Sequence, residues 1–525
     1  MSKTREILQL ASSILEILHS DFEFKKDVGC TVEISIRYLI RQLIPQRWVT
    51  VFVIFFGTFN IYSMRTFLPL IITEMVQTVK KNEKFMNDAC TDGHNQHNTF
   101  VEYNQTLAAS SNTIFQWSEK TQGIILSSFY WTYIFTNILG GMLVERYGGK
   151  RCLGITIFLT STLTLISPIS IQWGGSTAFI CLRALSGLIG GMMHSSIGVL
   201  AAQWIPLSER TRGYTFVLAG QPLGSVFGIT VSGLILQYVS DGWPIVFYFF
   251  GCIGLLSFFI NWAFCYDTPH DNPFITESEA QYLKENIRDV HKNKSAVPWR
   301  SILTSGPIWA LLILLLGKNW ALSTMSNGMP KYLSSVLKFS VRDNAFFTSL
   351  PHLGTWLIGF FTSPFIDSLI TKRQMGVTQV RKMSVTFSTA LQGVFVVLMS
   401  YAGCHGALVV TFFTISTLLR GFSYSSSKMN VRDLAPNYVG VITGFIMGIQ
   451  NLSAIISPYV MGIMTENQTM SEWSSVFWLT FLVLFITNVI YLILGSGELQ
   501  KWNDPTFLKD KVSDGINVTD DVTRF

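Results

Sequence analysis

Charge is scarce in this chain. Only 13% of its 525 residues are Asp, Glu, Lys or Arg, against about a quarter in an ordinary soluble domain. So few charges do not clothe a water-facing surface of this size, which excludes a soluble globular protein and puts lipid in the place of water. Cysteine carries no visible chemistry: no CxxC pair occurs among Cys30, Cys90, Cys152, Cys181, Cys252, Cys265 and Cys404, and no histidine spacing completes a metal site. No nucleophile stands beside a base and no phosphate-cradling glycine loop occurs, so neither an enzyme nor a bound cofactor is expected. Nor does the net charge of +6 mark a nucleic-acid groove, because the basic residues sit in short stretches between apolar runs. No acid lies deep in any of those runs.

What is present is apolar length. With 49% hydrophobic residues, the chain supplies twelve runs long enough to cross a bilayer, which takes about 20 residues at 1.5 Å each. They fall near 48–72, 121–143, 152–172, 176–203, 213–239, 243–265, 306–328, 344–370, 383–403, 406–430, 438–464 and 472–495. The spacing predicts an all-α membrane protein of twelve transmembrane helices, six before and six after the polar segment 267–305.

Orientation follows from lysine and arginine. Arg146, Lys150 and Arg151, then Arg210 and Arg212, then Lys284 to Arg300, then Lys372, Arg373, Arg381 and Lys382 all fall on one side. That side is expected to be cytoplasmic, with the tails 1–47 and 499–525 and the linker 267–305. The other side then receives the loop 74–120 and two glycan acceptor sequons, at Asn104 and Asn467. His94 and His97 with Asp88 and Asp92 read as part of that solvated loop rather than as a metal site. Cys90 and Cys404 share this side, which leaves a disulfide between them open.

Against this background, a basic residue inside a span stands out. Arg183 lies in the glycine-rich run from Phe179 to Gly213, and Arg65, Lys318 and Arg420 lie in the first, seventh and tenth spans. Each costs roughly 2.5–3.5 kcal/mol near the bilayer centre, so such residues face a watery cavity or a ligand rather than lipid. With no deep acid to pair with them, the expected counter-charge is a substrate anion. His194 follows Arg183 by eleven residues, and eleven steps of about 100° return to nearly the same helix face. It is a candidate proton site, with a packing histidine as the alternative. Trp131, Tyr130 and Trp320 are read as cavity-shaping or packing aromatics.

The second span ends in Gly140-Gly141-Met142-Leu143-Val144-Glu145-Arg146-Tyr147-Gly148-Gly149-Lys150-Arg151. This resembles the loop signature of the major facilitator superfamily, with Gly141, Glu145, Arg146, Gly148, Lys150 and Arg151 as the gating loop. Ser363 to Asp367 with Lys372 and Arg373 repeats the offset in the second half. Arg65 in YSMRTFLPLIITEMV, WxPxxER at Trp204 to Arg210, SLPHLGTWL at 349–357 and MNVRDLAPNYVG at 429–440 together resemble the anion/cation symporter branch. That branch includes sialin, vesicular glutamate transporters and sodium–phosphate cotransporters.

The resemblance implies two six-helix bundles, 48–266 and 306–498, with the four basic residues lining a central cavity between them. It also exposes two departures: Gly190 stands where proton-coupled relatives carry a glutamate, and Leu126 where some carry a histidine. The expected function is alternating-access transport of a small phosphate- or carboxylate-class anion by a monomer, with co-transported sodium or a proton. A non-transporting anion sensor and a potential-driven vesicular transporter remain alternatives. With no clear sorting motif, the plasma membrane is favoured over a lysosome or vesicle.

Overall fold

A computed structural model describes residues 45–76, 115–206, 209–239, 241–287, 297–372, 375–423 and 426–503. Asn104, Cys30, Cys90 and the His94/His97 group lie outside them. Among the described residues, nine helical stretches are long and apolar enough to cross a membrane, and one of these, Gly149–Trp204, is two spans joined. Glu119–Tyr147 and Val341–Thr371 bring the number to twelve. At 29 and 31 residues both are long enough to cross a bilayer, and their interiors carry polar residues such as Ser127, Thr132, Asn137 and His352.

Local chemistry sets where the spans break. The first, Gln46–Met75, is interrupted at Phe67, because Pro69 has no N–H to give the carbonyl of Arg65 and its ring crowds that carbonyl. Arg65 thus lies two residues before the break. The third and fourth spans are separated by Gly175 alone, at φ 59° and ψ −150°, a conformation that glycine adopts without penalty. The ninth span, Val377–Tyr401, carries a π-helical turn at Phe387–Leu391. The tenth, Gly406–Ser423, ends in a 3₁₀ turn that begins at Arg420.

The first six spans share one apolar core, containing Ile54, Phe67, Leu153, Phe179 and Phe250. The last six have two, one around Leu311, Val385 and Ile442, the other around Tyr332, Trp473 and Phe477. Between the halves, the second span packs on the eleventh, Pro436–Met464, and the fifth, Arg210–Tyr238, on the eighth. These seams are tight at the ends remote from the basic loops. A β-carbon on Gly123 would lie 2.5 Å from the Pro458 carbonyl oxygen, one on Gly233 would overlap Ala345, and Thr230 donates to Ser349 at 3.0 Å. Toward the basic face the spans part, and Gly141, Gly440 and Gly444 look into open space.

On the basic face, the linker helix Glu277–Asn286 is tied to the first bundle. The Glu279 carboxylate accepts from the backbone N–H groups of Gln46 and Arg47, at 2.8 and 3.1 Å, and so caps the first span. Arg47 also pairs with Glu209 at 3.0 Å. Among the described cysteines, Cys152, Cys181, Cys252 and Cys265 are free thiols, while Cys404 is disulfide-bonded.

Candidate functional site

The first, second, fourth and fifth spans bring together the side chains that matter. Arg65 enters a box of rings: its guanidinium carbon lies 4.7 Å from the centroids of Phe129 and Tyr130, 5.5 Å from Tyr133 and 5.7 Å from Tyr62. Arg183 approaches the same Phe129 ring, at 5.4 Å. The two guanidinium carbons are therefore no more than about 10 Å apart, a separation at which like charges repel by about 1–2 kcal/mol at an effective dielectric near 20. Among the described residues, neither arginine pairs with an acid, and Arg183 Nε is buried without a hydrogen-bond partner. Faces of aromatic rings, each worth about 0.5–2 kcal/mol to a cation, stand in for a carboxylate.

Gly190 explains why the rings fit. A β-carbon there would meet Phe129 Cζ at 3.2 Å and Tyr133 at 3.7 Å. The absent side chain is thus replaced in space by the ring that both arginines use. Leu126, the other departure, is buried in the first-half core.

His194 lies in the same cluster. Its Nδ1 is 3.2 Å from the Tyr133 hydroxyl and its Nε2 is 3.5 Å from the Gln221 amide nitrogen. A polar chain therefore runs from Arg65 through Tyr133 and His194 to Gln221, touching four spans. Tyr133, Phe129 and Gln221 escape a reading of sequence. A tyrosine or phenylalanine in a membrane helix has the pattern of packing, and only the Phe-Tyr-Trp-Thr-Tyr run at 129–133 hints at more.

Lys318 and Arg420 occupy the other half. Lys318 is 7% exposed and donates to Ser388 at 2.8 Å and Ser427 at 3.3 Å, so a serine of the ninth span and the first residue of the short helix Ser427–Leu434 that follows the tenth hold its ammonium. Ser388 belongs to the π-helical turn, where helix irregularity turns a hydroxyl toward it. Arg420 lies within electrostatic reach of His352 in the eighth span. Trp320 lines a small void together with Thr324, Ser457 and Val460, and Trp131 is exposed at the surface.

The loop after the second span turns on Gly148, at φ 91°. Asp267 accepts from the Lys150 N–H at 2.7 Å and sits where a β-carbon on Gly148 would be, again at 2.7 Å. Lys150 Nζ lies 4.3 Å from the Tyr266 ring centroid, Arg146 lies over Tyr147, and Glu145 and Arg151 are exposed. The second span comes close to its neighbour at Gly140, where a β-carbon would lie 3.1 Å from Met192 Cα. Asn467 is exposed, and its amide donates to Glu472 at 2.8 Å.

The family model of the Major Facilitator Superfamily matches residues 50–458. The chain belongs to that superfamily, in its anion/cation symporter branch. It is similar to sialin of Homo sapiens, 32% identical over 450 residues that cover 85% of this chain and 89% of that one. It is also similar to vesicular glutamate transporter 2.1 of Danio rerio, 30% identical over 420 residues, 79% of this chain and 71% of that one. Among solved structures, a bacterial homologue of the human lysosomal transporter Spinster, inward-facing and occupied, superposes with a TM-score of 0.62. It shares 12% identity and covers 86% of this chain and 97% of that one, so it shows the fold. This member of the major facilitator superfamily is a multi-pass membrane transporter and not an enzyme.

Proposed function

We propose that the chain carries a small organic or inorganic anion, of the carboxylate or phosphate class, by alternating access between bundles 48–266 and 306–498. The reading rests on one observation: two arginines share a single ring, without an acid partner among the described residues. A site with that much unbalanced positive charge gains most from a bound anion, and planar guanidinium groups suit both carboxylate and phosphate. Lys318 and Arg420 are proposed as contributions of the second bundle, engaged when the bundles close on the anion. The tight remote seams and the parted spans near the basic loops fit a carrier open toward the cytoplasm, with the basic face inside.

Cation coupling, with sodium or with a proton taken at His194, accompanies anion entry into an inside-negative cell, since moving one charge through 100 mV costs about 2.3 kcal/mol. Potential-driven transport in a vesicle is the competing reading, favoured by the vesicular relatives. The plasma membrane is the location proposed with the first mode, a lysosomal or vesicular membrane with the second. The test is counterflow of labelled anions in proteoliposomes. Arg183→Ala should abolish flux while the protein still reaches the membrane, and Arg183→Lys should restore it only in part, because an ammonium lacks the two-pronged geometry. Undiminished flux in the alanine variant removes Arg183 from the site. Binding without flux in the parent chain identifies a sensor.

A further inference from the structure

We propose that Glu119 and Lys331 form the latch of the face remote from the basic loops, and that this ion pair sets which side of the membrane the anion site is presented to. The inference rests on the alternating-access reading above. Glu119 opens the second span, in the first half, and Lys331 lies near the end of the seventh span, Gly306–Ser335, in the second half. Their side chains form an ion pair across the seam while only 10% and 15% exposed. The same ammonium donates to Gln122 Oε1 at 2.5 Å, and the Gln122 amide is fixed in turn by the Trp117 carbonyl at 3.0 Å. One lysine thus gathers two side chains, Glu119 and Gln122, from the first turn of the second span.

The eleventh span closes over this turn. A β-carbon on Gly462 would lie 2.7 Å from the Glu119 carbonyl oxygen, and Gly123 meets Pro458 one turn further on. Glycine at these two positions lets backbone, rather than side chains, exclude water from the pair. By contrast, Arg47 with Glu209 and Glu279 stays with the first half and its linker, and Arg381 with Asp433 stays within the second. The Glu119–Lys331 contact crosses between halves, so it cannot persist when they part on this side. Such a pair is strong while water is excluded and loses its worth once both charges are hydrated, which favours two discrete states over a continuum. At the other seam on this face Thr230 donates to Ser349, beside a cleft that Arg342 and Asp343 also line.

The test reads the face directly. Thr230→Cys serves as a reporter at the second seam, labelled in intact vesicles by a membrane-impermeant maleimide from the side remote from the basic loops, against a parent lacking that cysteine. Lys331→Gln in this background should raise the labelling rate about ten-fold, which corresponds to a shift of about 1.4 kcal/mol between the two faces. Glu119→Gln, a smaller perturbation, should do the same. The exchange Glu119→Lys with Lys331→Glu should bring the rate back toward that of the parent, which a merely damaged fold would not do. Unchanged labelling in both single variants overturns the latch, as does an exchanged pair that labels as fast as the singles. Because labelling needs no flux, a chain that binds anion without moving it would fail the counterflow test yet leave this outcome readable.

Discussion

Placing a carboxylate at residue 190 is the sharpest perturbation of the anion site. Gly190→Ala adds a β-carbon 3.2 Å from the edge of Phe129, a contact that a small ring movement relieves, so transport should survive with little change. Gly190→Gln extends the side chain toward the box that holds Arg65, and Gly190→Glu adds one negative charge to the same shape. At about 5 Å from a bound anion and an effective dielectric near 20, that charge costs on the order of 3 kcal/mol. The KM for a monovalent anion should therefore rise by about two powers of ten in Gly190→Glu relative to Gly190→Gln. Initial-rate uptake into proteoliposomes at fixed potential and pH 7.5, with equal reconstituted protein, measures it. If the glutamate and glutamine variants share one KM, residue 190 does not face the anion, and the placement of Arg65 and Arg183 in the site is wrong.

Other outcomes follow from the same geometry. Gly148→Ala forces a side chain into a left-handed conformation and against Asp267, so thermal unfolding in detergent should show a loss of about 1–3 kcal/mol, and a wild-type melting curve would refute the brace. Removal of Asn104 should raise electrophoretic mobility as much as enzymatic deglycosylation does; a glycan that persists on the first loop places the acceptor elsewhere. Replacing sodium by choline at fixed potential should abolish uptake if sodium is the co-ion, whereas indifference to sodium with steep voltage dependence indicates the vesicular mode. Acid stimulation that survives His194→Ala would exclude that histidine as the proton site.

The spans were legible because a bilayer demands apolar length, and little else in a chain produces it. Their ends were not: the seventh runs to Ser335 rather than to 328, because Lys331 finds Glu119 and Gln122 in the seam and can remain helical there. Arg65 and Arg183 were legible for the opposite reason, since a charge among apolar residues needs a partner. The partner was hidden, because Phe129 looks like any packing phenylalanine until Gly190 is seen to make room for its ring. The surroundings of Lys318 were equally hidden, since Ser388 and Ser427 lie 70 and 109 residues away and a serine in a span is unremarked in sequence. Asp267 reads as the start of a linker, and only the folded turn shows it bracing Gly148 and Lys150.

The single-residue elbow at Gly175 has a consequence for how this protein tolerates change. A surface loop absorbs an extra residue, but between the third and fourth spans there is almost no loop to absorb it. Arg183 lies eight residues past the elbow on a continuous helix, so one residue gained or lost between them turns its side chain by about 100° and shifts it by 1.5 Å. Insertions and deletions at this corner are therefore read out as azimuth at the anion site, and point substitution is the route by which specificity there can drift.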